Sequence, residues 1–379
     1  MTRPWPLLLP LVLATMASQA MLVVLSPTIV AIGDDLDASV AAVGQARSVT
    51  AVVAIAASVV ITGRIGEIGV PRLLAFGGGL ALVACVCVAA AQNVWMFLGA
   101  HVLVGVAFAC LLSGGFAGVG AFAYDERPWA IGYVAGANAL AWIVVNPAVG
   151  ALTQWVSWRA AEAVPAAIAL AALLTVRNVV PVAGGGAAPP LRGVLADGSA
   201  RRWIGSETIA FGAWTGLLTF IGAFFIDTFD VGEATAGWLL AAGAAAYFAA
   251  ATRSGRLIAR FSRRYLVAVS ALGMAALLPV LLVNSSSLTF AAVMFCIVGM
   301  LAGVRTPASS SLGLVQLPDH PGTMMAARTG ATQLGYLVGA AVGGVVIAAA
   351  GYRALSIFLA AGMAASALLV LRVRDVSSA

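Results

Sequence analysis

Thr62-Gly63-Arg64-Ile65, with Arg72 behind it, returns 192 positions later as Ser254-Gly255-Arg256-Leu257, with Arg264 behind it. Asp34-x-x-Asp37 ahead of Gly44 returns as Asp227-x-x-Asp230 ahead of Gly237, and Trp158-Arg159-Ala160 returns as Tyr352-Arg353-Ala354. The offset is half of a 379-residue chain, so the sequence is written twice. In a membrane chain a weak internal repeat of this kind marks a secondary transporter built from two bundles.

Composition puts the chain in a membrane. Hydrophobic residues make up 62% of it and charged residues 9%, with a mean hydropathy of +1.04. So few charges cannot cover a water-facing surface, and the expected solvent and partner is the lipid bilayer. All 20 basic residues are Arg and lie between apolar runs, which orients a membrane chain and does not describe a nucleic-acid face. Cys85, Cys87, Cys110 and Cys296 lie inside apolar runs and read as packing residues. His101 and His320 are too far apart for a metal cluster, so no metal and no cofactor are expected. There is no GxxxxGK[ST] phosphate loop, and no convincing HExxH, CxxC pair or Ser-His-Asp spacing, so the reading is not that of an enzyme.

About 20 apolar residues cross the hydrocarbon core as a helix. That ruler marks twelve spans, near 5–32, 39–62, 73–91, 94–119, 129–154, 159–176, 203–226, 234–252, 265–283, 288–312, 323–349 and 354–372. The first run has Arg3 ahead of it like a signal peptide, but its length and its counterpart in the second half make it a retained helix. Turn and charge chemistry fills the breaks: Asp34-Asp35-Leu36-Asp37, Gln92-Asn93, Asp125-Glu126-Arg127-Pro128, Asn284-Ser285-Ser286-Ser287 and Pro318-Asp319-His320-Pro321-Gly322. With the N-terminus inside, one side collects Arg3, Arg64, Arg72, Arg127, Arg177, Arg192, Arg201, Arg202, Arg253, Arg256, Arg260, Arg263, Arg264, Arg372 and Arg374. The other side holds Arg159 and Arg353, with Arg47 just inside helix 2, so both termini are expected in the cytoplasm. The expected domains are a six-helix bundle over 1–176, a Gly/Pro-rich cytoplasmic linker over 177–202, and a second six-helix bundle over 203–379.

Three local patterns resemble the major facilitator superfamily, over essentially the whole length, and within it the twelve-helix drug:proton antiporter branch. The first is the helix 2–3 loop G-x-L-a-D-r-x-G-r-r. Here Gly63, Ile65 and Arg72 fit, Glu67 stands for the aspartate, and the second copy keeps Gly255, Leu257, Arg260, Arg263 and Arg264 with Ala259 for the acid. An acid beside a helix N-terminus and an Arg cluster can latch a gate; the plain alternative is a positive-inside loop. The second is R-x-L-x-G of helix 4, where this chain has His101-Val102-Leu103-Val104-Gly105. His101 is either a proton relay or a neutral ring bonded to a neighbouring helix. The third is G-x-x-x-G-P-x-x-G-G of helix 5, here Trp142-x-x-x-Asn146-Pro147-x-x-Gly150-Ala151, matched by Gly335-x-x-x-Gly339-Ala340-x-x-Gly343-Gly344 in helix 11. Pro147 and Gly150 are expected to bend helix 5, and small residues four apart let helices approach closely.

The resemblance implies an all-α fold of two pseudo-symmetric six-helix bundles, with helices 1, 4, 7 and 10 lining a cavity. Glu207, Arg305 and His101 then meet there, with Glu207 and His101 as proton-coupling candidates. A membrane-buried Glu can carry a proton, and Arg305 can hold its counter-charge or an anionic substrate group. The plain alternative is that Glu207, Arg305 and Arg328 snorkel to the interface. Arg47 is expected to pair with Asp34 or Asp37. Gln19, Asn138, Trp142, Asn146, Trp214, Gln333 and Tyr336 complete the candidate cavity wall, while Trp5, Trp95, Trp203 and Tyr352 read as interface anchors.

The expected function is alternating-access secondary transport, first as proton-coupled efflux of a small drug or metabolite. The first alternative is uptake or exchange of a polar or anionic nutrient; a receptor or intramembrane enzyme is the minor one. A free Glu207 facing aromatics would favour cationic or apolar drugs, and an Arg-lined cavity without a free carboxylate would favour anions. The expected partners are the bilayer, a small molecule and protons, in a monomer in a bacterial cytoplasmic membrane, with no nucleic acid.

Overall fold

The computed structural model describes residues 5–123, 125–180, 196–317 and 321–375, and every regular element among them is a helix. In order these are α1 (Trp5–Val23), α2 (Leu25–Asp35), α3 (Val40–Ile68), α4 (Val70–Ala89), α5 (Val94–Ala117), α6 (Arg127–Trp155), α7 (Trp158–Ala161) and α8 (Ala163–Thr175). They continue as α9 (Gly198–Phe229), α10 (Glu233–Arg260), α11 (Arg263–Val283), α12 (Leu288–Leu314) and α13 (Pro321–Val370). Eleven of the described helical stretches are long and apolar enough to cross a membrane. The last is two passages, because α13 breaks at Ala350 and Gly351, where the glycine has φ +68°. Twelve passages result, as the apolar run lengths require.

Two expected single helices are divided, each for the same reason. Pro27 has no N–H to offer the carbonyl four residues back, so the first passage breaks at Val24 between α1 and α2. Pro165 does the same at Glu162, between α7 and α8. Helix starts follow the polar breaks. Ser39, Asn93, Ser157 and Ser287 each accept a backbone N–H three residues on, from Ala42, Met96, Ala160 and Phe290. Such caps are worth about 1 kcal/mol each. The repeat is written into the backbone as well: Asp37 and Asp230 occupy the left-handed region at φ +50° and +53°. Each sits in the polar turn just after a helix, where Asp tolerates that conformation better than most side chains.

The chain forms two compact units, Met1–Gly186 with Asp230–Ala241, and Ala187–Phe229 with Ala242–Ala379. The first part of α10 therefore groups with the first unit and its remainder with the second. Most of the expected linker, residues 181–195, lies outside the described residues, as do Arg3, Arg192 and His320. In the first unit α1 packs on α5, α6 and α8, and α5 packs on α3 and α4. In the second, α9 and α11 both pack on α13, and α11 on α12. Small residues make this closeness possible. A Cβ on Gly339 of α13 would lie 2.0 Å from the Gly212 carbonyl oxygen of α9, and one on Gly335 would lie 2.6 Å from Thr208 O.

The residues expected in the gating loops lie mostly in helices. α3 runs through Gly63 and Glu67 to Ile68, and the turn is the single residue Gly69, at φ +79°, before Arg72 in the first turn of α4. α10 likewise runs through Gly255 to Arg260, and Arg264 lies in the first turn of α11. An α-helix tolerates an isolated glycine at about 1 kcal/mol, so Gly63 and Gly255 do not end theirs. Pro147 also lies inside an unbroken α6.

Candidate functional site

The second unit brings three of the expected residues onto one point. Glu207 lies two turns into the membrane-spanning part of α9 and is 0% exposed. Its Oε1 accepts from Arg305 Nη2 of α12 at 2.6 Å and from Ser309 Oγ at 2.9 Å. Its Oε2 accepts from Arg328 Nε of α13 at 2.9 Å. Snorkelling therefore does not describe Glu207 or Arg305, which is itself only 3% exposed. Burying charge this way costs several kcal/mol per ion and is tolerable only because each charge has a bonded partner. Two guanidiniums and one carboxylate leave the cluster with one positive charge in excess.

Phe211, one turn on from Glu207, lies beneath both cations. Its ring centroid is 5.2 Å from the Arg328 guanidinium carbon and 5.9 Å from that of Arg305, so its π face adds attraction for each. Tyr336 meets the same ring edge-on at 6.2 Å. Beside it is a small cavity lined by Phe211, Trp214, Met274, Arg305, Thr306 and Met363. Trp214 stacks on Tyr247 with centroids 6.3 Å apart. Two donors remain over: Arg305 Nε and Arg328 Nη2 are buried with no hydrogen-bond partner among the described residues.

Trp203 corrects an expectation. It is not an interface anchor; it is fully buried, and its indole Nε1 donates to Ser309 O at 3.0 Å. It thereby backs the serine that holds Glu207. Ser309, Phe211 and this use of Trp203 were not legible in the sequence, because serine and aromatics are ordinary members of apolar helices.

The first unit gathers a different set. Arg47 reaches α1: its Nη2 donates to Leu22 O at 2.7 Å, in the last turn of that helix, and its guanidinium carbon lies 5.7 Å from the Trp142 ring. Helix ends carry carbonyls without a helical partner, and the Val24 break leaves this one for Arg47. Asn146 Nδ2 donates to Trp142 O at 2.7 Å, while its Oδ1 and that of Asn138 are buried without a partner among the described residues. Gln19 is buried on α1 here, and Gln333 is buried on α13 in the second unit. His101 is spoken for at Nδ1, 2.8 Å from Phe97 O, with its ring 4.5 Å from that of Phe97. It belongs to the first unit, and Glu207 and Arg305 to the second. Glu162 is a buried carboxyl that sequence reading passed over; it bonds the Cys85 thiol at the α7–α8 break. An acid inside an apolar run was the available signal.

Pro147 and Gly150 lie on α6 where α10 approaches closely. A Cβ on Gly150 would lie 2.3 Å from Glu233 O, and one on Gly237 2.4 Å from Asn146 O, both within the first unit. In the acidic turns, Asp35 pairs with Arg159 at 2.5 Å, and Asp227 accepts from Tyr352 Oη at 2.7 Å.

Asp375, beyond the last helix, holds the α10–α11 turn that follows Ala259. Its carboxylate, 1% exposed, accepts from Ser262 Oγ at 2.6 Å and Arg264 N at 3.0 Å, at the N-terminus of α11. Arg263 lies 4.0 Å away. Next to it Arg374 pairs with Asp197, and its backbone N–H donates to Ser199 Oγ. In the first copy Glu67 makes no ion pair among the described residues.

Asp197 lies ahead of α9, where the Ala200 amide foremost, with Arg374 and the Ser199 amide, holds its carboxyl below its ordinary value of 3.8. A depressed carboxyl stabilises the fold above its unfolded value and loses that contribution as pH falls through its folded value. Asp197→Ala is therefore expected to cost about 1 kcal/mol at neutral pH, as a lost helix cap does. In thermal melts of the purified protein the gap to wild type should hold constant from neutral pH and close only in strong acid. A gap that stays open throughout the acid range would assign Asp197 no such role.

The Major Facilitator Superfamily model matches residues 11–202 and 203–379. No curated protein sequence matches the chain. Among solved structures it is similar to a bacterial homologue of the human lysosomal transporter Spinster, in an inward-facing and unoccupied conformation. That likeness has a TM-score of 0.77 at 16% identity and covers 98% of this chain and 96% of the other. It is also similar to a D-xylose–proton symporter, with a TM-score of 0.78 at 14% identity, covering 98% of both chains. At these identities the likeness speaks to fold, which is the twelve-helix, two-bundle major facilitator fold.

Proposed function

The chain belongs to the Major Facilitator Superfamily and is a secondary transporter, and on that premise we propose proton-coupled movement of a small organic molecule through the Glu207 cluster. The observation that carries this is a fully buried carboxylate held by two arginines beside an aromatic cavity. Intramembrane ionisable groups are expensive and are retained for ion or substrate handling. Protonating Glu207 would release both guanidiniums, so a proton and a negatively charged group are bound together more readily than either alone. That thermodynamic sign describes co-transport, and it supports uptake or exchange of a polar or anionic molecule.

Export of a cationic or apolar drug has less support from the geometry. Glu207 is not free to meet a cation, and the helix 5 pattern that carried the antiporter likeness is occupied by close packing at Gly150 and Gly237. Our reading includes a monomer in a bacterial cytoplasmic membrane with both termini inside, from the arginine asymmetry.

Right-side-out vesicles without a pH gradient test the proposal. Small carboxylates and polar metabolites added outside should alkalinise the medium when the protein is present, and not in empty vesicles or with Glu207→Gln. Should lipophilic cations instead collapse a respiration-driven gradient in everted vesicles, dependent on Glu207, the export reading replaces this one. Substrate movement with no proton movement would sink the coupling.

A further inference from the structure

We propose that the Glu207 carboxylate is an internal stand-in for the substrate's own, and that the substrate is a monovalent organic anion with a compact apolar or aromatic body. The inference rests on the site reading above and deepens it. Substrate and Glu207 take turns on Arg305 and Arg328, and a proton taken up by Glu207 accompanies each exchange.

Charge balance is the first argument. The empty cluster holds two guanidiniums and one carboxylate, a net charge of one positive. With a proton on Glu207 and a monovalent anion on the arginines, the buried charge is again one positive. Occupancy by such a ligand adds no net charge to the membrane interior, so the large desolvation penalty of buried ions stays constant between the two states. A cation raises the buried charge by one, and a neutral ligand offers the arginines nothing in return for Glu207. Selection against both is built into the charges.

Donor geometry is the second argument. Arg305 already presents Nη2 and Arg328 Nε to a carboxylate at 2.6 and 2.9 Å. Their remaining buried donors, Arg305 Nε and Arg328 Nη2, have no partner among the described residues. An unpaired buried donor costs free energy, and an incoming anion has lone pairs for both. Glu207 does not lose its bonding when displaced: a neutral carboxyl still accepts from Ser309 and gains an O–H to donate. The ligand's body then meets Phe211, Trp214, Met274 and Met363, which line the adjoining cavity. The two methionines are unbranched and can repack around a body larger than the space now open.

Proton linkage involves few groups. The charged residues that act on Glu207 are Arg305 from α12 and Arg328 from α13, with Ser309 as its neutral partner. The arginines stay charged throughout, so Glu207 is the group that titrates.

The test is calorimetric titration of the purified, detergent-solubilised protein between pH 6 and pH 8. Its probes are butyrate, octanoate and 3-phenylpropionate, with 3-phenylpropanol and 3-phenylpropylamine as neutral and cationic matches. The proposal expects carboxylates to bind and the alcohol and amine not to. Wild-type affinity should rise about tenfold for each unit of falling pH, the signature of one proton taken up per anion. Glu207→Gln, which keeps the shape and removes the competing charge, should bind carboxylates at least tenfold more tightly at pH 8, with no pH dependence. Arg328→Gln should lose carboxylate binding while eluting as folded protein.

Binding of the alcohol or amine as tight as the acid overturns the proposal, as does weaker carboxylate binding by Glu207→Gln or a flat wild-type pH profile. Absence of carboxylate binding at every pH does the same. Should Glu207→Gln not fold, the wild-type pH slope decides alone. The outcomes separate from those of the vesicle assay. Proton-coupled transport of molecules other than these anions overturns the stand-in and leaves the site reading intact. Proton coupling that survives in a folded Glu207→Gln overturns the site reading itself.

Discussion

Arg305→Leu is expected to abolish transport and to destabilise the folded protein by about 1.5–3 kcal/mol, the range for one hydrogen bond to a charged group, since Arg328 still pairs with Glu207. Arg305 is 3% exposed and gives Glu207 its shortest bond, at 2.6 Å. Leucine fills much of the same volume but leaves Glu207 Oε1 with Ser309 alone. Transport should fall at least a hundredfold, equivalent to about 3 kcal/mol of lost binding, because a clamp of two guanidiniums becomes one. Arg305→Lys keeps the charge without the planar fork, and should fold while transporting about tenfold less well than wild type. The double variant Glu207→Leu with Arg305→Leu separates structure from function: it leaves Arg328 as a buried charge without its carboxylate, so it should be less stable than Arg305→Leu alone and should recover no transport. Thermal melts alongside vesicle transport provide both readouts. Transport by a well-folded Arg305→Leu at wild-type rates would remove the cluster from the mechanism.

Gly339→Val should be as damaging by a purely steric route. The α9–α13 crossing is so close that even a Cβ on Gly339 would lie 2.0 Å from Gly212 O, against backbone that cannot turn aside. The two helices would have to separate by more than about 1 Å, since non-bonded carbon contacts lie near 3.5–4 Å. That separation also pulls Arg328, on α13, away from Glu207, on α9. Gly339→Ala already exceeds the space, and overpacking of this kind costs about 1–3 kcal/mol. Valine is expected to leave no monodisperse species in size-exclusion chromatography after mild heating. Gly330→Ala, on the same helix with nothing within 4 Å of its new methyl, is the control and should match wild type or exceed it slightly. Equal thermal stability of Gly339→Val and Gly330→Ala would mean the crossing is far looser than the structure has it.

The parts of the molecule legible in sequence were those that a bilayer imposes locally. Twelve passages followed from run length, and two of the polar breaks read as turns also supply helix caps, Asn93 and Ser287. The paired Asp37 and Asp230 repeats reappear as matching left-handed residues. The glycines of the repeated Gly63 and Gly255 motif were read as loop, yet both stay helical, because a helix with its hydrogen bonds intact outweighs one poor residue. Trp203 was misread for a related reason: a tryptophan near a helix end has the same local sequence whether it meets lipid headgroups or a buried serine.

Each charged member of the site was visible singly as an ionisable residue in an apolar run, and the resemblance offered Arg305 as counter-charge to Glu207, whereas the bonds of Arg328 and Ser309 to Glu207 were not visible. Glu207 is 98 positions from Arg305 and 121 from Arg328. Asp375, which accepts from the Arg264 amide at the start of α11, is 111 positions from it. The membrane requires each spanning segment to satisfy its own peptide groups, so helices, their ends and their number are written residue by residue in the chain. Which helix faces meet is decided by packing among side chains far apart in sequence. Only that packing, with Gly339 against Gly212 and Ser309 against Trp203, places one carboxylate between two guanidiniums.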